Sequence, residues 1–268
     1  MLNLEVIESN TQYIETWKYF VSQCPRGENF DIDGLAIIWS NIATIFLNVV
    51  FVSKPVQDEA DLEAKIKLAY DYAGKYNQPW SIVICENFLP ESIRPHAPEI
   101  MSRHELVPLL KITGMAADNI LPPVRPIPSL DCIRVENLET RRAVADINAI
   151  SYEKPPQLFR EMLEIEEFWG TTVFGSVGYV KDRAVSTAVT LLINSKSYVA
   201  LVATLPEFRK QGYAEAVLRH SLAQAQQHSG ISRTVLHATP AGIHLYQKMG
   251  YQPVADFQIY IPRSFLVF

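Results

Sequence analysis

The sequence predicts an α+β protein in two parts. The C-terminal part has a mixed, largely antiparallel sheet with flanking helices, and a second, smaller α/β domain precedes it. Three observations predict this. The chain has 268 residues, whereas one domain usually has about 100–200. A proline-rich segment near the middle interrupts regular structure. Beyond it, three strand-like runs joined by short polar turns precede a long amphipathic helix, which favours a sheet flanked by helices.

Composition and charge describe a globular protein with an acidic balance. Hydrophobic residues make up 48% and charged residues 20%, and the formal net charge is −5. These proportions supply enough apolar residues for two cores. Lysine and arginine form no block anywhere in the chain, which argues against nucleic acid or an anionic membrane as the main partner. The acidic balance is compatible with a cationic amine substrate.

Cysteine usage and hydropathy favour a reduced, soluble protein. Cys24, Cys85 and Cys132 are sparse and form no close pair, so neither a disulfide framework nor a zinc site is expected. Met1–Thr11 lacks the basic and apolar regions of a signal peptide. Ile42–Val52, the longest apolar segment, is shorter than the ~20 residues that span a bilayer. We therefore expect a cytoplasmic protein that binds no metal.

The clearest boundary is the segment 121–130. It contains four prolines: Pro122, Pro123, Pro126 and Pro128. Prolines at this density exclude helix and central strand and favour a stiff, extended connector. We therefore predict an N-terminal domain over 1–120, a linker over 121–130 and a C-terminal domain over 131–268.

The N-terminal part shows an order of helix, strand, helix and strand. Helices are predicted at Tyr13–Gln23 and Asp61–Tyr76, and in the second of them apolar residues recur on one helical face. The apolar runs Ile42–Lys54 and Trp80–Cys85 are predicted strands. A further helix is expected at His104–Leu110. This order suggests an α/β or α+β layer.

The first elements of the C-terminal part are two amphipathic helices and a three-stranded meander. The helices are predicted at Asn137–Ser151 and Gln157–Trp169. The strands are Phe174–Val180, Ala184–Ile193 and Ser197–Ala203. The turns between them are short and polar, as antiparallel hairpins require.

Helix and strand then alternate to the end of the chain. A long amphipathic helix ends at Gly230, where a glycine cap is expected. Thr234–Ala238 is a predicted buried strand. The next helix has Pro240 in its first turn and ends at Gly250. Tyr251–Pro262 is the last strand region.

The segment from Val202 to Ala214 carries the most chemical information. A strand ends there, a loop turns, and a helix begins with the pattern Arg209-x-x-Gly212-x-Ala214. Free backbone N–H groups at a helix start form an anion site. Gly212 lets a phosphate approach the backbone without a Cβ in the way, and Arg209 and Lys210 add positive charge. We therefore expect a phosphate-binding loop.

This segment resembles the acetyl-CoA pyrophosphate loop of the GNAT superfamily of N-acetyltransferases, whose pattern is Arg/Gln-x-x-Gly-x-Gly/Ala. The resemblance covers about Asp131–Pro262. It implies a GNAT-type sheet whose two central parallel strands splay apart. The pantetheine arm would pair with the edge of Ser197–Thr204. The cofactor-binding residues that it implies are Val202, Ala203, Thr204, Arg209, Lys210, Gln211, Gly212, Tyr213, Ala214 and Thr239.

A second GNAT-like feature follows the strand Thr234–Ala238. Family members often show Asn-x-x-Ala-x-x-Leu-Tyr-x-x-x-Gly-Phe there. This chain keeps four of those positions: Leu245, Tyr246, Gly250 and the aromatic Tyr251. Thr239 replaces the usual asparagine and Gly242 the usual alanine. A contact that the asparagine often makes with the cofactor would therefore fall to the shorter hydroxyl of Thr239.

The resemblance implies direct acetyl transfer. A neutral amine attacks the thioester carbonyl of acetyl-CoA, and the tetrahedral intermediate collapses to CoA thiolate. Tyr246 takes the position of the family tyrosine that faces the sulfur. Because a thiol has a pKa of ~8.5 and tyrosine ~10, a hydrogen bond to the developing charge is favoured over full proton transfer. The alternative for Tyr246 is a core aromatic.

We predict an acetyltransferase whose acceptor is a small-molecule or peptide amine. The departures at Thr239 and Gly242 leave an alternative, a catalytically silent acyl-CoA-binding regulatory module. The general base is open. Its candidates are Glu164, Glu166, Glu167, His220, placed at the helix surface, His237 and the terminal carboxylate of Phe268.

The N-terminal half contains no Arg-x-x-Gly-x-Gly/Ala loop. Its element order is compatible with a degenerate GNAT-like domain. Two roles are open for it: it walls the acceptor pocket, or it forms the face of a homodimer.

Overall fold

The structure is a computed structural model of the chain that describes residues 3–266. Its described residues form two compact units. Unit 1 contains the chain up to Met115, the segment Ala238–Ile243 and the chain from Pro253 onward. Unit 2 contains Ala116–His237 and His244–Gln252.

The regular elements are numbered in chain order. Among residues 3–266 the strands are β1 (Glu28–Ile32), β2 (Leu35–Trp39), β3 (Asn48–Val52), β4 (Ser81–Cys85), β5 (Leu106–Ala117), β6 (Asp131–Arg134), β7 (Val173–Val180), β8 (Arg183–Ile193), β9 (Lys196–Thr204), β10 (Thr234–Ala238) and β11 (Gln252–Pro262). The α-helices are α1 (Leu4–Ser22), α2 (Glu59–Ala73), α3 (Ala97–Arg103), α4 (Leu138–Ser151), α5 (Pro156–Leu163), α6 (Tyr213–Ser229) and α7 (Ile243–Lys248).

Unit 1 is built on a sheet with the strand order β1-β2-β3-β4-β11-β5. The β1–β2 hairpin turns at Asp33 and Gly34, whose φ values are 47° and 78°, as a two-residue hairpin turn requires. Strands β3 and β4 are parallel, and α2 connects them. The buried face of α2 includes Leu62, Ile66 and Ala69, which join the core of this sheet, as the helical periodicity predicts.

Unit 2 is built on strands in the order β10-β9-β8-β7-β6. The four strands β6 to β9 are antiparallel, and β10 is parallel to β9. This is the mixed, largely antiparallel sheet with flanking helices that the sequence predicts.

Helices α4 and α6 cover opposite faces of the unit 2 sheet. Asn148 of α4 lies 3.1 Å from the hydroxyl of Thr187 on β8. Thr190 of the same strand bonds Ser221 of α6 at 2.7 Å. Because side chains alternate along a strand, positions 187 and 190 point to opposite faces.

The two units share one order of elements. In each, two antiparallel strands lead to a third (β3 or β9), and a helix (α2 or α6) crosses to a parallel neighbour (β4 or β10). Along the chain a further helix and strand follow each of these parallel neighbours, α3 and β5 after β4, and α7 and β11 after β10, although most of β11 lies in unit 1. A chain that repeats this order has the arrangement expected of a duplicated domain.

Three N-terminal predictions differ from the structure. His104–Leu110 is not a helix, because α3 ends at Arg103 and β5 begins at Leu106; short apolar runs fit either structure. The strand predicted over Ile42–Lys54 is limited to β3. The Asn48 side chain ties down the segment before it, by accepting from Ser40 and Asn41 and donating to Ile42. Helix α1 begins at Leu4, well before the predicted start at Tyr13. The β1–β2 hairpin is an addition that the prediction omits.

Two C-terminal predictions also change. The predicted helix Gln157–Trp169 ends at Leu163, and a 3₁₀ turn follows at Glu167–Trp169. Edge strand β6 is an addition; with four residues and an exposed surface, it offers little periodic signal. The helix predicted with Pro240 in its first turn begins only at Ile243, so Pro240 lies in the turn before it. The other C-terminal elements, including the Gly230 cap of α6, are close to where the sequence predicts them.

Residues 120–130 contain no helix or strand, as expected of a connector. The compact units differ from the predicted domains at the chain end. Residues from Pro253 onward lie in unit 1 because β11 pairs with β4, for example Phe257 with Cys85. The division at 121–130 stays a prediction.

Candidate active site

Strand β9 separates from β10 halfway along its length. The parallel pairs run from Ser197↔Thr234 to Val199↔Leu236, although β9 continues to Thr204 and β10 to Ala238. Among the described pairs, the second half of β9 therefore has β8 on one side and an open edge on the other. An open edge of this kind accepts an extended ligand as an added strand.

The open half of β9 also contains a bulge. Thr187 pairs with Ala203 and Val189 with Ala200, so Leu201 and Val202 together face a single residue of β8. Leu201 has a φ of 52°, which is a left-handed conformation that bulky residues avoid. Strain of this kind costs about 1–3 kcal/mol and is concentrated at functional sites.

The predicted anion loop joins the end of β9 to α6. Gly212 is the N-cap of α6 with a φ of 88°, and Lys210 before it has a φ of 62°. Residues Arg209 to Gly212 are exposed, and the first-turn residues of α6 that follow are half-buried. A Cβ on Gly212 would lie 3.2 Å from Pro128. Glycine is therefore favoured here by its backbone conformation and by the close approach of Pro128.

The loop and the strand end are in direct contact. The Arg209 guanidinium donates to the Thr204 carbonyl at 3.1 Å, and the Ser151 hydroxyl of α4 donates to the same oxygen at 3.3 Å. The Thr204 hydroxyl is 2.8 Å from that of Ser186 on β8. These contacts fix the point at which β9 ends and the anion loop begins.

The other predicted cofactor residues occupy the same stretch of chain. Val202 and Thr204 are half-buried on β9, Ala203 between them is buried, and Gln211 lies in the loop with its amide bonded to Glu207 at 3.2 Å. Tyr213 and Ala214 form the first turn of α6 and are half-buried. All of these residues lie in unit 2.

Thr239 lies in unit 1, in the turn after β10. It is half-buried, and its carbonyl accepts the Gly242 N–H at 2.9 Å. Its predicted cofactor contact stays a prediction.

Tyr246 is buried on α7, with 8% of its surface exposed. Its ring packs edge-on against Tyr251 at a centroid distance of 5.8 Å. Burial raises the pKa of Tyr246 above its ordinary value, and the neighbouring hydroxyls of Tyr152 and Tyr251 raise it further. The Tyr246 hydroxyl is therefore protonated at neutral pH and able to donate a hydrogen bond.

The last turns of α4 supply polar groups that the sequence analysis omits. Asn148 donates through its amide nitrogen to Thr187 at 3.1 Å and lies 3.5 Å from the carbonyl of Leu201. Ser151 bonds the end of β9, as described above. The sequence did contain one signal for Asn148, because it is a polar residue among the apolar positions of an amphipathic helix. A polar residue on such a face often indicates a specific hydrogen-bonding role.

Tyr152 follows at the C-cap of α4. As a residue it is 42% exposed, and burial raises the pKa of its hydroxyl. Its ring stacks on Phe159 at 6.2 Å with an interplanar angle of 9°.

The carboxylate candidates for a general base are only partly available. Glu164 is paired with Arg142 and Glu166 with Arg141, each at 2.9 Å. Both carboxylates are therefore already engaged in ion pairs with arginines of α4. Glu167 is exposed, and Phe268 lies outside the described residues.

The two histidine candidates are part of the unit 2 interior. The prediction that His220 lies at the surface is wrong: it is half-buried, with Nδ1 2.9 Å from Ser176 on β7, and burial lowers its pKa. His237 stacks on Tyr198, whose hydroxyl is 2.9 Å from Nδ1. Burial lowers the pKa of His237 to about 3. Its imidazole is therefore a weak base that serves packing.

Two surveys of the described part of the chain bear on other functions. Within residues 3–266 no cluster of three or more His, Cys, Asp or Glu side chains is arranged to hold a metal ion. No helix there is both long and apolar enough to cross a membrane. Cys85 and Cys132 are free thiols. Cys85 is fully buried in β4, and burial raises its pKa to about 12.

A protein-family model matches the part of the chain that contains most of this site. Residues 166–253, which contain β9, the anion loop, α6, β10 and Tyr246, match the family model described as the acetyltransferase (GNAT) domain. No curated protein matches the chain significantly.

Solved structures of the same fold cover most of the chain. A GCN5-related N-acetyltransferase from Kribbella flavida is 17% identical with a TM-score of 0.70, over 95% of each chain. One from Sphaerobacter thermophilus is 14% identical with a TM-score of 0.60, over 87% of this chain and 81% of its own. A tandem GNAT protein from the clavulanic acid biosynthesis pathway is 11% identical with a TM-score of 0.54, over 95% and 94%. At these identities the likeness shows the fold.

Unit 2, with its splayed parallel strands and its glycine-started helix, contains most of the segment 166–253 that matches the acetyltransferase (GNAT) domain. This match supports acyl transfer as the class of reaction.

The half-buried His237 makes unit 2 sensitive to acid. Its pKa is lowered in the folded state, so below pH ~6.5 the unfolded chain binds a proton that the folded chain excludes. We expect the free energy of unfolding to fall with pH in that range, by up to about 1.4 kcal/mol per pH unit from this residue. His237→Phe keeps a ring against Tyr198 and should make the decline shallower in urea titrations at pH 7 and pH 5. Equal declines in both proteins would show that His237 is protonated in the folded state.

Proposed function

We propose that unit 2 transfers an acetyl group from acetyl-CoA directly to an amine acceptor. One observation carries the proposal: the open edge of β9 runs into a helix start that is shaped for an anion. The contact between Arg209 and the Thr204 carbonyl joins the two. An extended pantetheine arm on Val202 and Thr204 would therefore lead to a pyrophosphate at Gly212.

The charges around the start of α6 favour a pyrophosphate. The helix has 17 residues and begins in an exposed loop that contains Arg209 and Lys210, so its dipole and its free N–H groups attract an anion. Glu215 in the first turn would oppose binding. Arg219 bonds it through two nitrogens at 2.9 and 2.7 Å and offsets its charge.

The corresponding helix of unit 1 starts differently. Asp58 caps α2 by accepting the Asp61 N–H at 2.8 Å, and Asp61 accepts the Gln57 N–H at 2.9 Å. Glu59 adds a third acid to this start. These carboxylates occupy the position that a phosphate would take. We infer that unit 1 is a degenerate GNAT-like half and that the chain binds one acetyl-CoA, in unit 2.

The proposed reaction uses Tyr246 as a hydrogen-bond donor. A neutral amine of a small molecule or peptide attacks the thioester carbonyl and gives up one proton to solvent, and the carbon–sulfur bond breaks as CoA thiolate leaves. The thiolate gains negative charge in that step, and the protonated Tyr246 hydroxyl stabilises it. The raised pKa of Tyr246 disfavours full proton transfer to sulfur. The proposed chemistry requires no metal.

Gly212→Glu tests the anion loop. The substitution places a carboxylate and a side chain where the pyrophosphate would lie, so we expect acetyl-CoA binding to be abolished in calorimetry. It also forces a non-glycine residue into a left-handed conformation, which costs about 1–2 kcal/mol of stability.

The same helix offers a matched control. Gly230 caps the other end of α6 with a φ of 71°, and nothing lies within 4 Å of an added Cβ. Gly230→Glu therefore adds the same side chain and similar strain away from the loop, and it should bind acetyl-CoA normally. Normal acetyl-CoA binding by folded Gly212→Glu would show that the loop is an ordinary helix start and not a phosphate site.

Tyr246→Phe tests the hydroxyl. The ring remains, so packing and acetyl-CoA affinity should change little, whereas turnover on a responsive amine should fall about 10²–10⁴-fold. The measurement is thiol release from acetyl-CoA across a panel of amines at saturating concentrations, with chemistry shown to be rate-limiting.

Tyr251→Phe is the matched control. Tyr251 is fully buried beside Tyr246, and its hydroxyl accepts from Thr234 at 2.9 Å. Its loss should cost about 1 kcal/mol of stability and leave turnover intact. Full activity of Tyr246→Phe would remove this residue from the mechanism.

A further inference from the structure

The carbonyl oxygen of Leu201 is held by side chains. The Thr187 hydroxyl on β8 donates to it at 2.9 Å, and the Asn148 amide nitrogen on α4 lies 3.5 Å from it. This carbonyl belongs to the strained residue of the β9 bulge. A strained conformation persists only where its surroundings impose it, and these two side chains provide that restraint.

The hydrogen-bond directions of this group are fixed. The Asn148 amide donates one hydrogen to the Val144 carbonyl at 2.9 Å and the other to the Thr187 oxygen at 3.1 Å. Thr187 has a single hydroxyl hydrogen, which it gives to Leu201. A flipped Asn148 amide would place its oxygen against the Val144 carbonyl. These groups therefore have a single hydrogen-bond arrangement. The backbone of α4 orients the Asn148 amide, Asn148 orients the Thr187 hydroxyl, and that hydroxyl orients the Leu201 carbonyl.

Stability alone does not account for an asparagine at this position. Asn148 and Thr187 are both fully buried. The Asn148 Oδ1 atom has no hydrogen-bond partner among the described residues. A buried acceptor without a partner destabilises a fold, and an apolar residue of similar size would avoid that cost.

We propose that Asn148 and Thr187 are positioning residues for the acyl arm of the cofactor. They hold the Leu201 carbonyl toward α4, and this sets the backbone direction of Val202 along the open edge. The backbone groups of the open edge are then already oriented to pair with the pantetheine arm when it binds. This inference rests on the proposed function, because it assumes that the open edge of β9 binds acetyl-CoA.

Thr187→Val tests the proposal because valine keeps the shape and removes the hydroxyl. In this variant the backbone of β9 should no longer be oriented to pair with the pantetheine arm, while the helix start of α6 should still bind the phosphates. We expect acetyl-CoA affinity to fall about tenfold, the effect of about one lost hydrogen bond. Affinity for 3′-phosphoadenosine 5′-diphosphate, which lacks the pantetheine arm, should not change. Calorimetry measures both without an acceptor amine. Thr187→Ser restores the hydroxyl and should restore acetyl-CoA binding.

Thr190→Val is the matched control. Thr190 is equally buried on the same strand, and its hydroxyl bonds Ser221 of α6 on the opposite face. It should lose a comparable hydrogen bond and bind both ligands as the wild type does. Asn148→Leu is a second route if Thr187→Val does not fold. It removes the Asn148 contacts with Thr187 and the Leu201 carbonyl together with the unpaired Oδ1. Acetyl-CoA affinity should therefore fall without a loss in Tm.

The outcomes separate this inference from the proposed function. A wild-type protein that does not bind acetyl-CoA would overturn both. Wild-type binding that Thr187→Val or folded Asn148→Leu retains in full would overturn the positioning role alone. Equal weakening of both ligands, or weakening by Thr190→Val as well, would assign the effect to general loosening of the sheet and would also overturn it.

Discussion

Strand β9 is paired with β8 along most of its length but with β10 along only its first half. After Val199 its backbone has one neighbour, and unpaired backbone groups there need another partner. The bulge at Leu201 meets part of this need by turning one carbonyl toward the side chains of α4 and β8. The open edge remains for a ligand, and the anion loop begins where that edge ends.

The two units show how one order of elements yields different chemistry. Both contain a helix that crosses between parallel strands, and in both the start of that helix attracts negative charge. In α2 this charge is built into the chain as Asp58, Glu59 and Asp61. In α6 the start is a left-handed Gly212, so the helix keeps its anion site open. Under the proposed function, a few residues at one helix terminus thus decide which unit is suited to a phosphate.

The anion loop and most elements of unit 2 could be predicted because their signals are local. Gly212, Gly230 and the polar turns of the meander each act on their own neighbours in sequence. The bulge depends on register between β8 and β9, and the contact of Asn148 with Leu201 spans 53 positions. His220 was misplaced for the same reason, because Ser176 lies 44 residues away. Helix α4 could be predicted from its apolar face, but the partner of a buried asparagine could not.

Several costs to stability meet in one region of unit 2. Leu201 is strained, the Asn148 Oδ1 atom is buried without a partner among the described residues, and Tyr246 is a buried hydroxyl on a short helix. On the opposite face of the same sheet Thr190 is paired with Ser221. A sequence selected for stability alone would replace each of the three with a relaxed or apolar residue, since proteins hold only a small margin of stability. Their concentration along the open half of β9 and at Tyr246 is what a site requires when backbone and hydroxyl groups must be held ready for a ligand.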